Sequence, residues 1–130
     1  MRPGQRGFTL IELLIVVVII GILASIVVPK FANGKERAMI ASMKSDLHNL
    51  VVAQEAFFSN GNLYYNGVLP AAAIPFAVSP GVSITLSSVT PAGWGATATH
   101  THSTRTCAVF VGAGGPLAPA TNDGEVACTP

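Results

Sequence analysis

The N-terminal stretch that sets the architecture of this chain reads Phe8-Thr-Leu-Ile-Glu-Leu-Leu-Ile-Val-Val-Val-Ile-Ile-Gly-Ile-Leu-Ala-Ser-Ile-Val-Val-Pro29. Its one charged side chain is Glu12. As an α-helix rising about 1.5 Å per residue, the stretch is roughly 33 Å long, which is enough to cross the hydrocarbon core of a bilayer. Because Arg2 and Arg6 precede it, the positive-inside rule predicts a cytoplasmic N-terminus.

The composition of the 130 residues excludes several classes of protein. Half of the residues are hydrophobic and 10% are charged, against roughly 25% charged residues in an ordinary soluble domain. Disorder is therefore a poor interpretation. The net charge of +1 leaves no basic stripe for a phosphate backbone, so we expect no specific nucleic-acid site. The remainder of the chain is a moderately polar, Gly/Pro/Thr-rich head, which argues against a multi-pass membrane protein.

Two simpler interpretations of the apolar stretch are a single-pass anchor and a cleaved secretory signal. A signal is cut after its apolar core at a small-x-small site. Between Gly21 and Val28 no two small residues stand two positions apart, and the one such site, at 32–34, lies beyond Lys30. Glu12 is also unexplained by a plain anchor, because a carboxylate in hydrocarbon costs about 2.5–3.5 kcal/mol.

The segment Arg6-Gly7-Phe8-Thr9-Leu10-Ile11-Glu12, followed by an apolar helix, resembles the N-terminal signature of type IV pilins and their pseudopilin relatives. The resemblance implies cleavage between Gly7 and Phe8 by a prepilin peptidase, with N-methylation of the new terminus at Phe8. It places Glu12 at the fifth mature position, where the family has its acidic residue. It also implies a homopolymeric helical filament, built by a pilus assembly machinery from subunits held in the inner membrane.

Glu12 has a physical role that fits this resemblance. In a bundle of apolar helices, its carboxylate pairs with the α-amine of Phe8 on a neighbouring subunit, so that two desolvated charges are relieved together. A wrong stagger leaves both charges unpaired, so the pair sets the register. The alternative is a carboxylate that reaches the headgroups near the end of the helix.

Pro29 and Gly21 bound a segment of the helix that we expect to be soft. Pro29 lacks an N–H and should kink or locally melt the helix, and Gly21 weakens helix by about 1 kcal/mol relative to Ala. In type IVa pilins, a Gly and a Pro at these positions bound a helix segment that can unwind in the filament. A static kink is the alternative.

An amphipathic helix is predicted over residues 30–60, with apolar positions Met39/Ile40, Met43, Leu47, Leu50/Val51 and Phe57/Phe58 at helical spacing. A loop from Leu63 to Pro80 follows. Strand patterns then cover Val82–Val89, Trp94–His100 and Thr106–Val111. The predicted fold is α+β, with a long N-terminal α-helix whose apolar half protrudes and whose C-terminal half packs on a small three- to four-stranded antiparallel sheet.

The two cysteines, Cys107 and Cys128, are predicted to form a disulfide. An even count in an exported segment favours a disulfide over a metal site, and many type IVa pilins close a C-terminal loop in this way. The alternative is two free thiols. The bridge would pin the tail from Gly112 to Thr129, which shows no clear strand of its own.

Other polar motifs in the head carry weaker signals. His100-x-His102 could begin a metal site, but no third ligand is placed, so a polar edge or turn is the simpler interpretation. Asn122–Glu125 lacks the ligands of a calcium loop and reads as a turn. No nucleophile motif, phosphate loop or carboxylate pair occurs, so we expect no enzyme activity, cofactor or metal.

The sequence therefore predicts a structural subunit of a type IV pilus, made at the inner membrane and displayed on the cell surface. Its segments are a leader (1–7), a membrane and filament-core helix (8–29), an amphipathic helix (30–60) and a head (61–130). One alternative is a pseudopilin of a type II secretion system. Another is a single-pass anchored binding module, which would lack a methylated N-terminus at Phe8.

Overall fold

The computed structural model of the chain describes residue 4 and residues 7–130. Arg2 and Arg6, on which the predicted orientation in the membrane rests, lie outside the described residues. The chain forms two compact units, Met1–Lys35 and Glu36–Pro130. Its elements in chain order are α1 (Leu10–Gly61), β1 (Val82–Thr90), β2 (Gly93–His100), β3 (Thr106–Gly112) and β4 (Ala127–Cys128).

The helix α1 runs for 52 residues without interruption, so of the kink and the local melting predicted at Pro29, only the kink stays a prediction. That melting is absent, because a proline removes one intrahelical hydrogen bond while each helical residue on either side adds one. The apolar side chains of Leu10–Val28 are exposed. Among the described residues, α1 is the one helix long and apolar enough to cross a membrane.

The segment of α1 from Glu36 onward is amphipathic, as predicted. Met43, Leu47 and Leu50 are completely buried, and their spacing of four and three residues places them on one face of the helix. They pack in one core with Trp94, Ala96 and Ala98 of β2. The small side chains at 96 and 98 let the helix approach the sheet closely.

The sheet is an antiparallel meander in the order β1-β2-β3-β4. The three predicted strands are confirmed, and their register brings Ile84, Ala98 and Cys107 into one row. β4 corrects the prediction that the tail has no strand of its own. It consists of two residues that pair with Cys107 and Ala108 of β3, and so short a strand leaves no periodic pattern in a Gly/Pro-rich sequence.

The tail between β3 and β4 covers the other face of the sheet. Ala120 of the tail is buried against Ala108 and Phe110 of β3. At Gly114 the tail crosses β2 so closely that a Cβ would overlap the backbone carbonyl of Trp94. Glycine is therefore required at this crossing.

Two buried polar side chains of α1 hold the loop that leads to the sheet. Gln54 accepts a hydrogen bond from Tyr65 N at 2.8 Å and donates one to Tyr65 O at 3.0 Å. Asp46, 3% exposed, accepts hydrogen bonds from Ser79 N and Ser79 Oγ, both at 2.8 Å. These bonds satisfy groups that would otherwise be costly to bury, and they hold the loop near each of its ends.

Candidate functional site

The helix α1 begins in a reciprocal hydrogen-bonded cap between Thr9 and Glu12. Thr9 N and Thr9 Oγ1 both donate to Glu12 Oε2 at 2.8 Å, and Glu12 N lies 3.3 Å from Thr9 Oγ1, to which it donates. This is the capping-box arrangement, in which residues three positions apart satisfy each other's free N–H groups. The carboxylate also lies at the positive end of the helix dipole. The described structure thus supplies Glu12 with two donors from its own chain.

Gly7 and Phe8 stand immediately before this cap, in a segment with no regular secondary structure. Phe8 is 85% exposed, and a Cβ added at Gly7 would have no atom within 4 Å. The peptide bond between them is therefore outside the helix and accessible. Packing among the described residues therefore places no requirement for glycine at position 7.

Gly21 and Pro29, the two predicted softening positions, both lie inside α1. A Cβ added at Gly21 would contact nothing within 4 Å, so a side chain there is sterically acceptable in the isolated chain. The softness of the segment between them stays a prediction about the assembled filament.

The predicted disulfide between Cys107 and Cys128 is confirmed. It joins β3 to β4 at a position where the two residues are also register partners. Cys107 is completely buried and belongs to the core beneath α1. Closing a loop of this length contributes roughly 3 kcal/mol in the chain-entropy model, so the bridge is a main support of the C-terminal tail.

Arg105 fixes the chain end beside the disulfide. Its Nε donates to Glu36 Oε1 at 3.1 Å and forms an ion pair with it. Its Nη1 donates to the backbone oxygen of Thr129, also at 3.1 Å. Thr106 N donates to Thr129 Oγ1, and Thr129 N donates to Thr106 O. The C-terminus is thus tied to both β3 and the start of the amphipathic segment of α1.

The weaker polar motifs form turns. His102 N donates to His100 Nδ1 at 3.1 Å, which occupies one ring nitrogen of His100. Asn122 Nδ2 donates to Glu125 Oε2 at 2.6 Å, and Asp123 Oδ1 accepts from Gly112 N at 3.1 Å. Within the described part of the chain, no group of three or more His, Cys, Asp or Glu side chains is arranged to hold a metal ion.

An aromatic and acidic patch lies near the end of α1. The rings of Phe58 and Tyr64 stack at 4.6 Å between centroids, and Tyr64 Oη donates to Glu55 Oε1 at 3.2 Å. Partial burial raises the pKa of the Tyr64 phenol above its ordinary value, and the negative charges of Glu55 and Asp123 raise it further. Each of these effects disfavours a phenolate.

Two clefts open on the unit Glu36–Pro130. One, of about 300 Å³, lies between the loop Asn66–Leu69 and the strand segment Ile84–Leu86. The other, of about 400 Å³, lies between Pro75–Ala77 and the helix face that carries Val52 and Ala56. Neither lining contains an acid–base pair or a nucleophile beside a base, so neither has the parts of an active site.

Thr9 is the site residue that the residue-by-residue interpretation did not single out. The signal was present, because Thr9-x-x-Glu12 directly before an apolar run is the sequence signature of a capping box. The burial of Glu12 in hydrocarbon predicts an intermolecular partner as well. The nearest partner in the described structure is intramolecular.

A comparison with known protein families identifies the prokaryotic N-terminal methylation motif at residues 2–28. The matched segment contains the sites discussed above, Gly7, Phe8 and Glu12. It ends one residue before Pro29 and leaves the head outside the match.

Three relatives are similar to part of the chain. The type IV major pilin protein PilA of Myxococcus xanthus is 50% identical over 63 residues, which are 48% of this chain and 29% of that protein. The type IV major fimbrial protein FimA of Dichelobacter nodosus is 43% identical over 61 residues, 47% of this chain and 39% of FimA. The type II secretion system core protein G of Pectobacterium carotovorum is 43% identical over 60 residues, 46% of this chain and 38% of core protein G.

The matched part of the chain thus spans less than half the length of each of these relatives. The family match at residues 2–28 covers Gly7, Phe8 and Glu12, whose roles in processing and assembly stay predictions. The resemblance of this chain to type IV pilins and their pseudopilin relatives, inferred above from Arg6 to Glu12, is confirmed.

Proposed function

We propose that this chain is a structural subunit of a type IV pilus and not an enzyme. The observation that carries the proposal is the conjunction at one helix start of the methylation motif, an accessible Gly7–Phe8 bond and a carboxylate at Glu12. The similarity to PilA and FimA supports the same function. The apolar part of α1, which has the length of a membrane span, supports a precursor held in the inner membrane before assembly.

Processing would take place at the segment before the helix. A prepilin peptidase would cut after Gly7, and Phe8 would become the methylated N-terminus. The cut removes the leader, residues 1–7, and leaves Thr9 and Glu12 at the start of the helix. The mature subunit then consists of a filament-core helix over 8–29, an amphipathic helix over 30–60 and a head over 61–130.

Assembly would use the charge of Glu12. In the membrane, the cap from Thr9 N–H and O–H offsets part of the cost of placing this carboxylate near hydrocarbon. In the filament, the α-amine of Phe8 on a neighbouring subunit supplies the positive charge that the cap lacks. Because both groups are desolvated in a helix bundle, the correct stagger is favoured and wrong staggers leave two unpaired charges.

The test is mass spectrometry of the chain purified from sheared surface filaments. We expect a main component that begins at Phe8 and carries one methyl group on its α-amine. G7W, which changes the residue before the bond, should leave the unprocessed chain in the membrane, while G21A should be processed normally. Surface filaments that lack this chain, or a purified chain that retains its leader, would contradict the proposal.

A pseudopilin of a type II secretion system is the second candidate, supported by the similarity to core protein G. It would share the processing at Gly7–Phe8 and the role of Glu12. The two functions differ in the product, because a pseudopilin builds a short periplasmic structure. Electron microscopy of cells that express the chain at its natural level distinguishes the two functions. A pilus subunit predicts surface fibres that contain the chain, and a pseudopilin predicts no such surface fibres.

A further inference from the structure

The solvent face of α1 carries a polarised row of charges. Arg37, Lys44, His48 and Glu55 are all exposed. They follow one another at spacings of seven, four and seven residues, and these spacings return to nearly the same side of a helix with 3.6 residues per turn. We call these four residues the charge row. Its N-terminal end is basic and its C-terminal end is acidic.

The basic spacing continues in the sequence, because Lys30 precedes Arg37 by another seven residues. Beyond Lys44 the sequence has one further Lys or Arg, Arg105, against four acidic residues, Asp46, Glu55, Asp123 and Glu125. The C-terminal part of the chain is therefore acidic, while the helix segment before it is basic.

The charges of the row are not neutralised by ion pairs in the chain itself. Across residue 4 and residues 7–130, the one ion pair joins Arg105 to Glu36, and no such pair includes Arg37, Lys44 or Glu55. The buried carboxylate of Asp46 is occupied by Ser79. Complementary charges of opposite sign are thus left at the two ends of one helix face.

We propose that Glu55 of one copy binds Arg37 or Lys44 of a second, parallel copy in the filament. This inference rests on the proposed pilus function. Two parallel helices staggered by 11 or 18 residues, about 16 or 27 Å at the helical rise, bring Glu55 level with Lys44 or Arg37. Both staggers keep the paired side chains on the charge row. Antiparallel packing does not arise between subunits that share one membrane orientation.

The surroundings of Glu55 suit an incoming cation. The stacked rings of Phe58 and Tyr64 lie beside it, and an Arg or Lys head over such rings gains cation–π attraction. Val52, three residues before Glu55 and 71% exposed, offers apolar surface to the aliphatic stem of the same side chain. Asp123 lies close enough to act on Tyr64 and adds negative potential.

Charge reversal in the full chain tests the pairing by the yield of sheared filaments. We expect E55R to lower the yield by about tenfold or more, because like charges then face each other. R37E or K44E, introduced into the E55R chain, should recover most of the lost filament yield. K35E is the matched control, because Lys35 lies two residues from Arg37 and off the charge row. Alone, K35E should assemble normally, and in the E55R chain it should restore nothing.

Two further measurements separate the pairing from a folding defect. E55Q keeps an acceptor for the Tyr64 hydroxyl and loses only the charge, so its yield should fall while its thermal unfolding stays unchanged. The second measurement is cross-linking in R37K filaments assembled from a mixture of isotopically labelled and unlabelled copies. A carbodiimide should join the Glu55 carboxylate of one copy to an amine of a second copy, either that of Lys44 or that introduced by R37K.

If the wild-type chain forms filaments, two results would overturn the pairing and leave the pilus function intact. One is full assembly of E55R, and the other is the absence of any intermolecular cross-link to Glu55. Restoration of E55R by K35E as well as by R37E would overturn it too, because a general charge effect would then suffice. Absence of filaments from the wild-type chain would instead contradict the proposed function.

Discussion

Substitutions at Glu12 and Thr9 separate two roles of the same carboxylate. Glu12 Oε2 accepts from Thr9 N and Thr9 Oγ1 within the chain, and we propose that it also pairs with a neighbour's α-amine. E12A removes both roles. E12Q keeps an oxygen for the cap, since Gln serves in capping boxes, and removes the charge. T9A keeps the charge and removes one partner of the cap.

The magnitudes differ enough to be resolved. Loss of a helix N-cap costs about 1 kcal/mol, so T9A should lower filament yield by about fivefold at most. Removing one partner of a buried ion pair costs about 3–5 kcal/mol, so E12Q and E12A should each lower yield by more than about 100-fold. None of the three should impair insertion, because none adds a charge to the apolar helix.

The assay compares the chain in sheared filaments with the chain that stays in the membrane after alkaline extraction. Equal membrane levels in all variants are the control for expression and insertion. Normal assembly of E12Q would refute the need for a charge at position 12. A defect in T9A as severe as that in E12Q would mean that the cap, and not the intermolecular pair, accounts for the requirement.

Three further predictions concern the head in the full chain. The double substitution C107A/C128A should lower the free energy of unfolding by roughly 3 kcal/mol, measured by denaturant titration in detergent. The reduced wild-type chain is the control and should show the same loss. D46A should cost about 3 kcal/mol because Ser79 loses two hydrogen bonds to a buried carboxylate; a Tm equal to that of the wild type would contradict this. The folded state raises the pKa of Tyr64 above the ordinary value of 10.0. The contribution of the protonated phenol to the free energy of unfolding is therefore fully present below pH 10, and it is lost as the pH rises through the pKa of Tyr64 in the folded state. The chain should therefore lose stability more steeply in alkali than Y64F, and identical alkaline unfolding curves would show that Tyr64 does not contribute.

The elements that could be predicted are those with a repeating pattern. Met43, Leu47 and Leu50 recur at helical spacing, and the burial of all three follows from that spacing. The alternation in β1 likewise places Val82 and Ile84 in the core. Such patterns are local, so a single sequence contains all the information needed to read them.

The features that could not be predicted depend on distant partners or on opposing local effects. Gln54 and Asp46 are buried because Tyr65 and Ser79, 11 and 33 residues away, return to them. The two residues of β4 form a strand through their pairing with β3. At Pro29, the local tendency to interrupt a helix is opposed by the long helical segments on either side.

At the site, the even cysteine count in an exported segment was sufficient for the cysteine pair, while the assembly role of Glu12 stays a prediction. The cap from Thr9 is local and was within reach of the same reasoning. The charge row was less accessible, because its meaning depends on which helix residues are exposed and on Arg105 occupying Glu36. A sequence shows charges, but the structure shows which of them already have partners.

The broad contact between α1 and the sheet has a mechanical consequence. Met43, Leu47 and Leu50 pack against Trp94, Ala96 and Ala98 over about two turns of the helix. Traction along a fibre would enter each head through its helix and would load this contact in shear, so that many side chains resist slippage at once. The rate of forced unfolding, which governs survival under load, should therefore be low. Extension should begin in the helix segment between Gly21 and Pro29, which is predicted to be soft.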